Sequence, residues 1–231
     1  MTAPLLHTFA KDHNNITTTT PSANSFVLIE KGKPLDIVID KNDERGISIA
    51  ANNLAEDFMR VCGTKAQVKH DLPDGRKIIA GTVGSQLMKQ IAKKCKLNTK
   101  NLTGKTEKYL ITFSDADNAM IIIGSDRRGV IYGIYEISEQ IGVSPWYYWA
   151  DVPVNKEQDI SINKGEYTAG EPAVRYRGIF LNDEAPCLTT WVKNTFGTNY
   201  GGHDFYAKVF ELILRLRGNF LWPAMWNWSF Y

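Results

Sequence analysis

Two apolar strands in the last quarter of the chain each run into a cluster of polar or aromatic residues, and this constrains the fold more than any bulk property. Gly178-Ile-Phe-Leu181 leads directly into Asn182-Asp183-Glu184. About forty residues later Asn219-Phe-Leu221 leads into Trp222-Pro-Ala-Met-Trp226, as a second strand would. Functional groups gathered where successive strands end belong to the active-site face of a parallel (β/α) barrel, which needs about 250 residues. From Arg175 onward only 57 residues remain. The expectation is therefore the opening of a barrel that this stretch of chain cannot close.

Upstream, strand and helix signals alternate from Phe26 to about Asn163. Phe26-Val-Leu-Ile29 and Asp36-Ile-Val-Ile39 are β-rich runs separated by the turn chemistry of Lys31-Gly-Lys-Pro34. Asp43 is placed to cap a helix reaching about Val61, with Ile47, Ala50, Leu54 and Phe58 at helical spacing and Gly63 as its stop. Lys77-Ile-Ile-Ala80 reads as a strand, Ser85 as the cap of a short helix, and Tyr109 to Phe113 with Met120 to Ile123 as a hairpin. Val130, Ile134, Ile137 and Ile141 form one apolar stripe on a helix that starts at Arg127. The fold class implied is α/β: a mixed-sheet sandwich with some antiparallel pairing, followed by the first strands and helix of an incomplete (β/α)8 barrel. Residues 1–23 read as a disordered tail, 24–168 as the first domain and 169–231 as the barrel start, with the boundary drawn between Tyr167 and Pro172. Pro145-Trp-Tyr-Tyr-Trp-Ala-Asp-Val-Pro153 is too aromatic to face water and reads as the surface on which the second part docks, ahead of a polar connector from Asn155 to Gly170.

Composition excludes little. At 43% hydrophobic and 23% charged residues the chain matches ordinary globular proteins, so disorder is not the default. A net charge of +2, with no block of like charges, gives no reason to expect nucleic acid or membrane as a partner. Cys62, Cys95 and Cys187 are odd in number and far apart, and the four histidines are scattered, so neither a disulfide framework, a metal site nor a cofactor is expected. The start lacks the basic and apolar regions of a secretory signal, which reads as cytoplasmic, or as secreted or periplasmic if residues precede Met1.

Gly124-Ser-Asp-Arg-Arg-Gly129 has the glycine spacing of a phosphate loop, but Val130-Ile131 stand where that loop needs Lys and Ser or Thr. A tight turn with Asp126 as helix cap is the preferred reading, and an anion at the helix start the weaker one. For Asn182-Asp183-Glu184 the choice between a helix cap and a sugar-binding or acid/base role stays open. The tryptophans at 222 and 226 read as core filler or as platforms for sugar rings, and their place at a strand exit favours the platform. Arg215 and Arg217, on the helix carrying Phe205, Val209, Leu212, Ile213 and Leu216, are expected to be solvated.

At these residues the chain resembles glycoside hydrolase family 115, the xylan α-1,2-glucuronidases. The segments that carry the resemblance are Arg177 to Pro186, Tyr206 to Arg217 and Asn219 to Trp226, together with Gly124 to Tyr135 and Ile141 to Pro153 upstream. The upstream part is similar to the non-catalytic second domain of β-hexosaminidases. The resemblance implies removal of glucuronic acid or its 4-O-methyl ether from xylan with inversion, which requires an acid and a base about 6.5–9.5 Å apart. It implies catalytic roles for Asp183 or Glu184, of which at most one can be half of that pair, and substrate contacts from Asn182, Trp222, Met225 and Trp226. It further implies glucuronoxylan or its oligosaccharides as partner, and homodimers among full-length relatives. Asn227-Trp-Ser-Phe-Tyr231 departs from the Gly-rich polar loop of the family, as a truncated or misjoined reading frame would. An inactive enzyme fragment is thus the first expectation. A carbohydrate-binding module using Trp146 to Trp149 and Trp222 to Trp228 is the second, and an interaction domain the third.

Overall fold

The computed structural model describes residues 15–182, 186–197 and 201–223. In chain order it contains β1 (Thr17–Thr18), β2 (Ser25–Glu30), β3 (Lys33–Pro34), β4 (Asp36–Ile39), α1 (Arg45–Cys62), β5 (Val68–Lys69), β6 (Lys77–Thr82) and α2 (Gln86–Lys94). These are followed by β7 (Tyr109–Ser114), β8 (Ala119–Gly124), α3 (Arg127–Gln140), β9 (Ile160–Asn163) and β10 (Tyr167–Ala169). The last elements are β11 (Gly178–Leu181), α4 (Cys187–Phe196), α5 (His203–Arg215) and β12 (Phe220–Pro223).

A six-stranded mixed sheet in the order β10-β7-β8-β6-β4-β5 is the centre of the first part. Its strands β5, β4, β6 and β8 run parallel, while β7 and β10 are antiparallel to their neighbours. Residues of β8 are buried throughout and those of β6 nearly so, which is why both read as continuous apolar runs rather than alternating ones. The side chains still alternate between two cores. Ile37, Ile39, Ile78, Met120 and Ile122 face α1 and α3, whereas Val38, Ile79, Ile121 and Ile123 face Met88 and Ile91 of α2 and Leu102 of the connector behind it. Helices therefore cover both faces, and the expected mixed α/β class is the one observed.

A second, four-stranded antiparallel sheet in the order β1-β9-β2-β3 extends the α1/α3 core with Phe26, Leu28, Ile160 and Ile162. This corrects two expectations. Within the stretch 1–23 read as a tail, Thr17 and Thr18 pair with Ile162 and Ser161, anchored by buried Ile16. The stretch 155–170 read as a connector holds β9 and β10, and Ile160, Ser161 and Ile162 of β9 are all buried. Lys31 and Gly32 turn the chain back into β3 before β4 enters the other sheet, so the two runs at 26–29 and 36–39 are not paired with each other.

Local start signals hold where the side chain reaches a free amide. Ser85 Oγ accepts from Met88 N at 3.2 Å and Asp126 Oδ1 from Gly129 N at 2.8 Å. Asp43 does not cap α1, which starts at Arg45 without a side-chain cap. Its carboxylate instead accepts from Thr82 N at 2.8 Å and Thr82 Oγ1 at 3.0 Å, tying the start of α1 to the end of β6. The two glycines of the phosphate-loop look-alike are packing residues. A Cβ on Gly129 would stand 2.2 Å from Lys108 O, and one on Gly124 2.2 Å from Val130 N.

Candidate carbohydrate site

Strands β11 and β12 are parallel neighbours, with Gly178 opposite Phe220, Ile179 opposite Leu221, Phe180 opposite Trp222 and Leu181 opposite Pro223. Two helices, α4 and α5, lie between them in sequence, where a single one was expected. Parallel pairing requires such a crossover, and here it buries one face of the strand pair. Ile179, Leu181 and Leu221 sit on Val192 of α4 and on Phe205, Val209 and Ile213 of α5. The opposite face carries Phe180 at 62% exposure and Trp222 at 57%, their rings edge to face with centroids 6.1 Å apart. Below them Tyr176 and Phe220 form a second exposed pair at 6.0 Å.

This register brings the two predicted site segments together. Asn182 follows Leu181, the last paired residue of β11, which lies opposite Pro223, while Trp222 lies inside β12 opposite Phe180 rather than beyond the strand end as expected. Asp183, Glu184, Met225 and Trp226 lie outside the described residues. Trp222 lies on the exposed face of the strand pair rather than on the face packed under α4 and α5.

The opposite end of the strand pair is held by a polar clamp that sequence reasoning missed. Buried Glu107, with φ of +55°, accepts from Arg177 Nη2 at 2.5 Å and from Asn219 Nδ2 at 2.7 Å. Arg177 N donates to Asn219 Oδ1 at 3.0 Å, and Arg177 O accepts from Asn219 N at 2.7 Å. Tyr132 OH donates to Gly218 O at 2.9 Å; burial, with the charge of Glu107 adding to it, pushes this phenol up to about 12. Nothing in the local sequence around Glu107 signals such a role, because its partners lie 70 and 112 positions away.

Arg215 and Arg217 are not solvated. Arg215 is 4% exposed and forms a bidentate pair with Asp57 of α1, while its Nε donates to Glu211 at 2.9 Å. Burial by itself would lower the Arg215 pKa; the Asp57 and Glu211 carboxylates outweigh it and the net shift is upward. Arg217 donates to Glu136 of α3. The aromatic run does dock α5 as expected: Trp149 packs on Phe205 and Trp191, and Tyr147 OH donates to Glu211 Oε1 at 2.9 Å. Tyr147 and Trp149 are half-buried against α5, while Trp146 stays 43% exposed.

A cavity of about 830 Å³ opens at the carboxyl ends of β4, β6 and β8, among Asp40, Asp43, Ser85 and Asp126. The helix-start amides there already hold the chain's own carboxylates: Asp40 accepts from Leu87 N and Asp126 from Gly129 N. Backbone hydrogen bonds from Leu87 and Asn42 keep the Asp40 carboxyl below its ordinary value. These contacts leave the anion reading of that turn without support. Among the described residues no cluster of three or more His, Cys, Asp or Glu is placed to hold a metal ion. No helix among them is long and apolar enough to cross a membrane.

With strand exits, aromatic face and clamp in place, comparison with known proteins relates the chain to the glycoside hydrolases. Residues 169–231 match the model of glycosyl hydrolase family 115, and residues 28–137 match that of the family 67 N-terminus. A solved family GH115 4-O-methyl-α-glucuronidase with specificity for decorated arabinogalactans is similar at 32% identity and a TM-score of 0.77, over 87% of this chain and 26% of that one. The chain thus spans about a quarter of that relative's length. A GH138 enzyme targeting pectin rhamnogalacturonan II shares 14% identity over 82% of this chain and 24% of its own, at a TM-score of 0.48, too low to argue from. No curated protein sequence matches.

Proposed function

We propose that this chain is part of an α-glucuronidase, supplying its non-catalytic N-terminal domain and the first arc of its catalytic barrel. The observation that carries this reading is the juxtaposition of two parallel strand exits, Asn182 after β11 and Trp222 on β12, beside an uncovered aromatic face. We keep the division at residues 168/169, near the end of β10 and ahead of β11, which opens at Gly178. In the complete barrel that aromatic face lines the interior, and further strands pair with the free edges of β11 and β12.

The reaction is removal of glucuronic acid or its 4-O-methyl ether from a polysaccharide side chain, with inversion at the anomeric carbon. Trp222 stacks on a sugar ring, Asn182, Met225 and Trp226 contact the substrate, and Asp183 or Glu184 contributes one carboxylate. Adjacent residues cannot supply both members of an inverting pair that holds a water between them, so the partner carboxylate comes from another strand. By itself this stretch is inactive. Glucuronoxylan is the substrate we favour; the relative with specificity for decorated arabinogalactans makes that polymer the second choice.

The test is a chimera in which residues 15–231 replace the matching region of a family 115 glucuronidase. Release of 4-O-methylglucuronic acid from glucuronoxylan or decorated arabinogalactan, lost in both Asp183→Asn and Glu184→Gln or in one of them, supports the reading. A folded chimera with no release from either polymer overturns it, as does full turnover by residues 1–231 alone.

A further inference from the structure

The face of the six-stranded sheet turned away from α1 and α3 is covered by α2 and the connector behind it, and the outer side of that cover is basic. From Lys89 to Lys108 the chain has seven lysines and one acid, Glu107, giving +6 in a protein of net charge +2. Glu107 is buried and committed to Arg177 and Asn219, so it neutralises nothing on the outside. Lys89 and Lys93 lie one turn apart on α2, opposite the inward Met88 and Ile91. Lys96 and Lys100 follow on the connector, which Leu97 and Leu102 hold to the sheet.

All four of these lysines are exposed. Among the described residues none of the four has a salt-bridge partner, whereas Lys94 is paired with Asp117 and Lys105 with Glu171 at 2.8 Å. Asp40 approaches the helix start but is bound to Leu87 N. The exposed neighbours Gln90, Asn98, Asn101 and Thr103 are amides and a hydroxyl. No large apolar side chain between residues 86 and 108 is strongly exposed, and the segment contains no arginine.

We infer that the Lys89–Lys93–Lys96–Lys100 face is a docking surface for an acidic, uronate-bearing polysaccharide. Spaced ammonium groups attract a chain of carboxylates, and the interleaved amides and hydroxyl match sugar hydroxyl groups. Absence of exposed aromatics and arginine on the segment removes the stacking and forked contacts by which single-stranded nucleic acid is held. Absence of exposed apolar side chains removes the means of entering a lipid surface. The choice of polysaccharide among polyanions rests on the glycoside-hydrolase reading; the need for a polyanion rests on charge alone. Because α2 covers the sheet face opposite α1, to which α5 is bonded, this surface anchors the polymer away from the strand exits.

The test is affinity electrophoresis of residues 1–231 in gels with and without 4-O-methylglucuronoxylan, and with the same polymer after reduction of its carboxyl groups. Retardation by the acidic polymer only is expected, about tenfold weaker in the variant K89Q/K93Q/K96Q/K100Q, and diminished by salt. Far-UV circular dichroism and thermal unfolding establish that this variant is folded, since all four positions are exposed. Equal retardation by the reduced polymer, or an undiminished effect in the variant, overturns the inference. Stronger binding of single-stranded DNA or of anionic vesicles at equal charge overturns the assignment to polysaccharide. Retardation lost in Trp222→Ala but kept in the lysine variant moves binding to the strand exits, leaving the proposed function standing and this surface refuted. Lysine-dependent retardation alongside an inactive chimera does the reverse.

Discussion

The Arg215 guanidinium grips the Asp57 carboxylate with both outer nitrogens, Nη1 to Oδ2 at 2.8 Å and Nη2 to Oδ1 at 3.1 Å, joining α5 to α1 across 158 positions of sequence. Tyr135 and Tyr147 lie under the same guanidinium, 4.6 and 5.0 Å from its carbon. Two separately recognisable parts of the chain are fastened by a charge pair that neither could keep alone. Removing Asp57 leaves the buried guanidinium with Glu211 alone, and breaking a buried pair in this way costs up to about 3–5 kcal/mol. Asp57→Asn is therefore expected to lower the urea midpoint sharply. The triple replacement Asp57→Leu, Glu211→Gln and Arg215→Met recovers most of the loss, and a triple variant as unstable as the single one contradicts this account.

Acid sensitivity follows from the same cluster. Burial pushes the Glu211 carboxyl up, but Arg215 and Lys208 outweigh it and leave the folded-state pKa below 4.5. A depressed carboxyl contributes its stability above the unfolded value and loses it as pH falls through the folded one. Melting temperature measured from neutral pH downward should decline below about pH 4.5, and less steeply in Glu211→Gln than in the native protein. Parallel curves for the two would remove Glu211 from the explanation.

Gly129 tests the packing account of the phosphate-loop look-alike. An alanine there drives its Cβ to 2.2 Å from the Lys108 carbonyl oxygen. Gly129→Ala should cost about 1–3 kcal/mol, the range for overpacking a close contact. Gly84→Ala serves as control, because a Cβ at that position meets nothing within 4 Å. Equal stability of the two variants in chemical unfolding would count against a packing role.

Asp126 holds two amides at once, Gly129 N at 2.8 Å and Glu107 N at 2.9 Å. The second bond supports the backbone of the residue that clamps β11 and β12. Asp126→Ala is expected to cost about 1–2 kcal/mol, at the upper end for a cap, and Ser85→Ala about 1 kcal/mol or less. Hydrogen exchange should also quicken at Asn219 and Phe220 in the first variant and stay unchanged in the second.

Trp222 separates fold from function. At 57% exposure, its truncation to alanine should change stability by no more than about 0.5 kcal/mol. In the active chimera, where the ring faces the barrel interior, the same change should raise the KM for oligosaccharides. A large drop in stability with unchanged KM would assign the ring to structure instead.

The sequence by itself determined the fold class and the longer elements of the first part, though not β1, β9, β10 or α4. Runs such as Lys77 to Ala80 and Met120 to Ile123 announce buried strands, the stripe from Val130 to Ile137 announces α3, and Ser85 and Asp126 cap helices with oxygens whose amide partners are three residues away. Such signals are legible because their causes are local: side-chain period, turn chemistry and caps. The register of β11 and β12, which sets Trp222 beside Phe180 on an open face, follows from the crossover packing of α4 and α5. The burial of Arg215 and the clamp on Glu107 likewise exist only once distant segments meet. In sequence Arg215 is one more cation on an amphipathic helix. Tertiary structure alone decided these because a charged side chain is buried or left exposed by what packs over it, and for Arg215 that partner is 158 residues away.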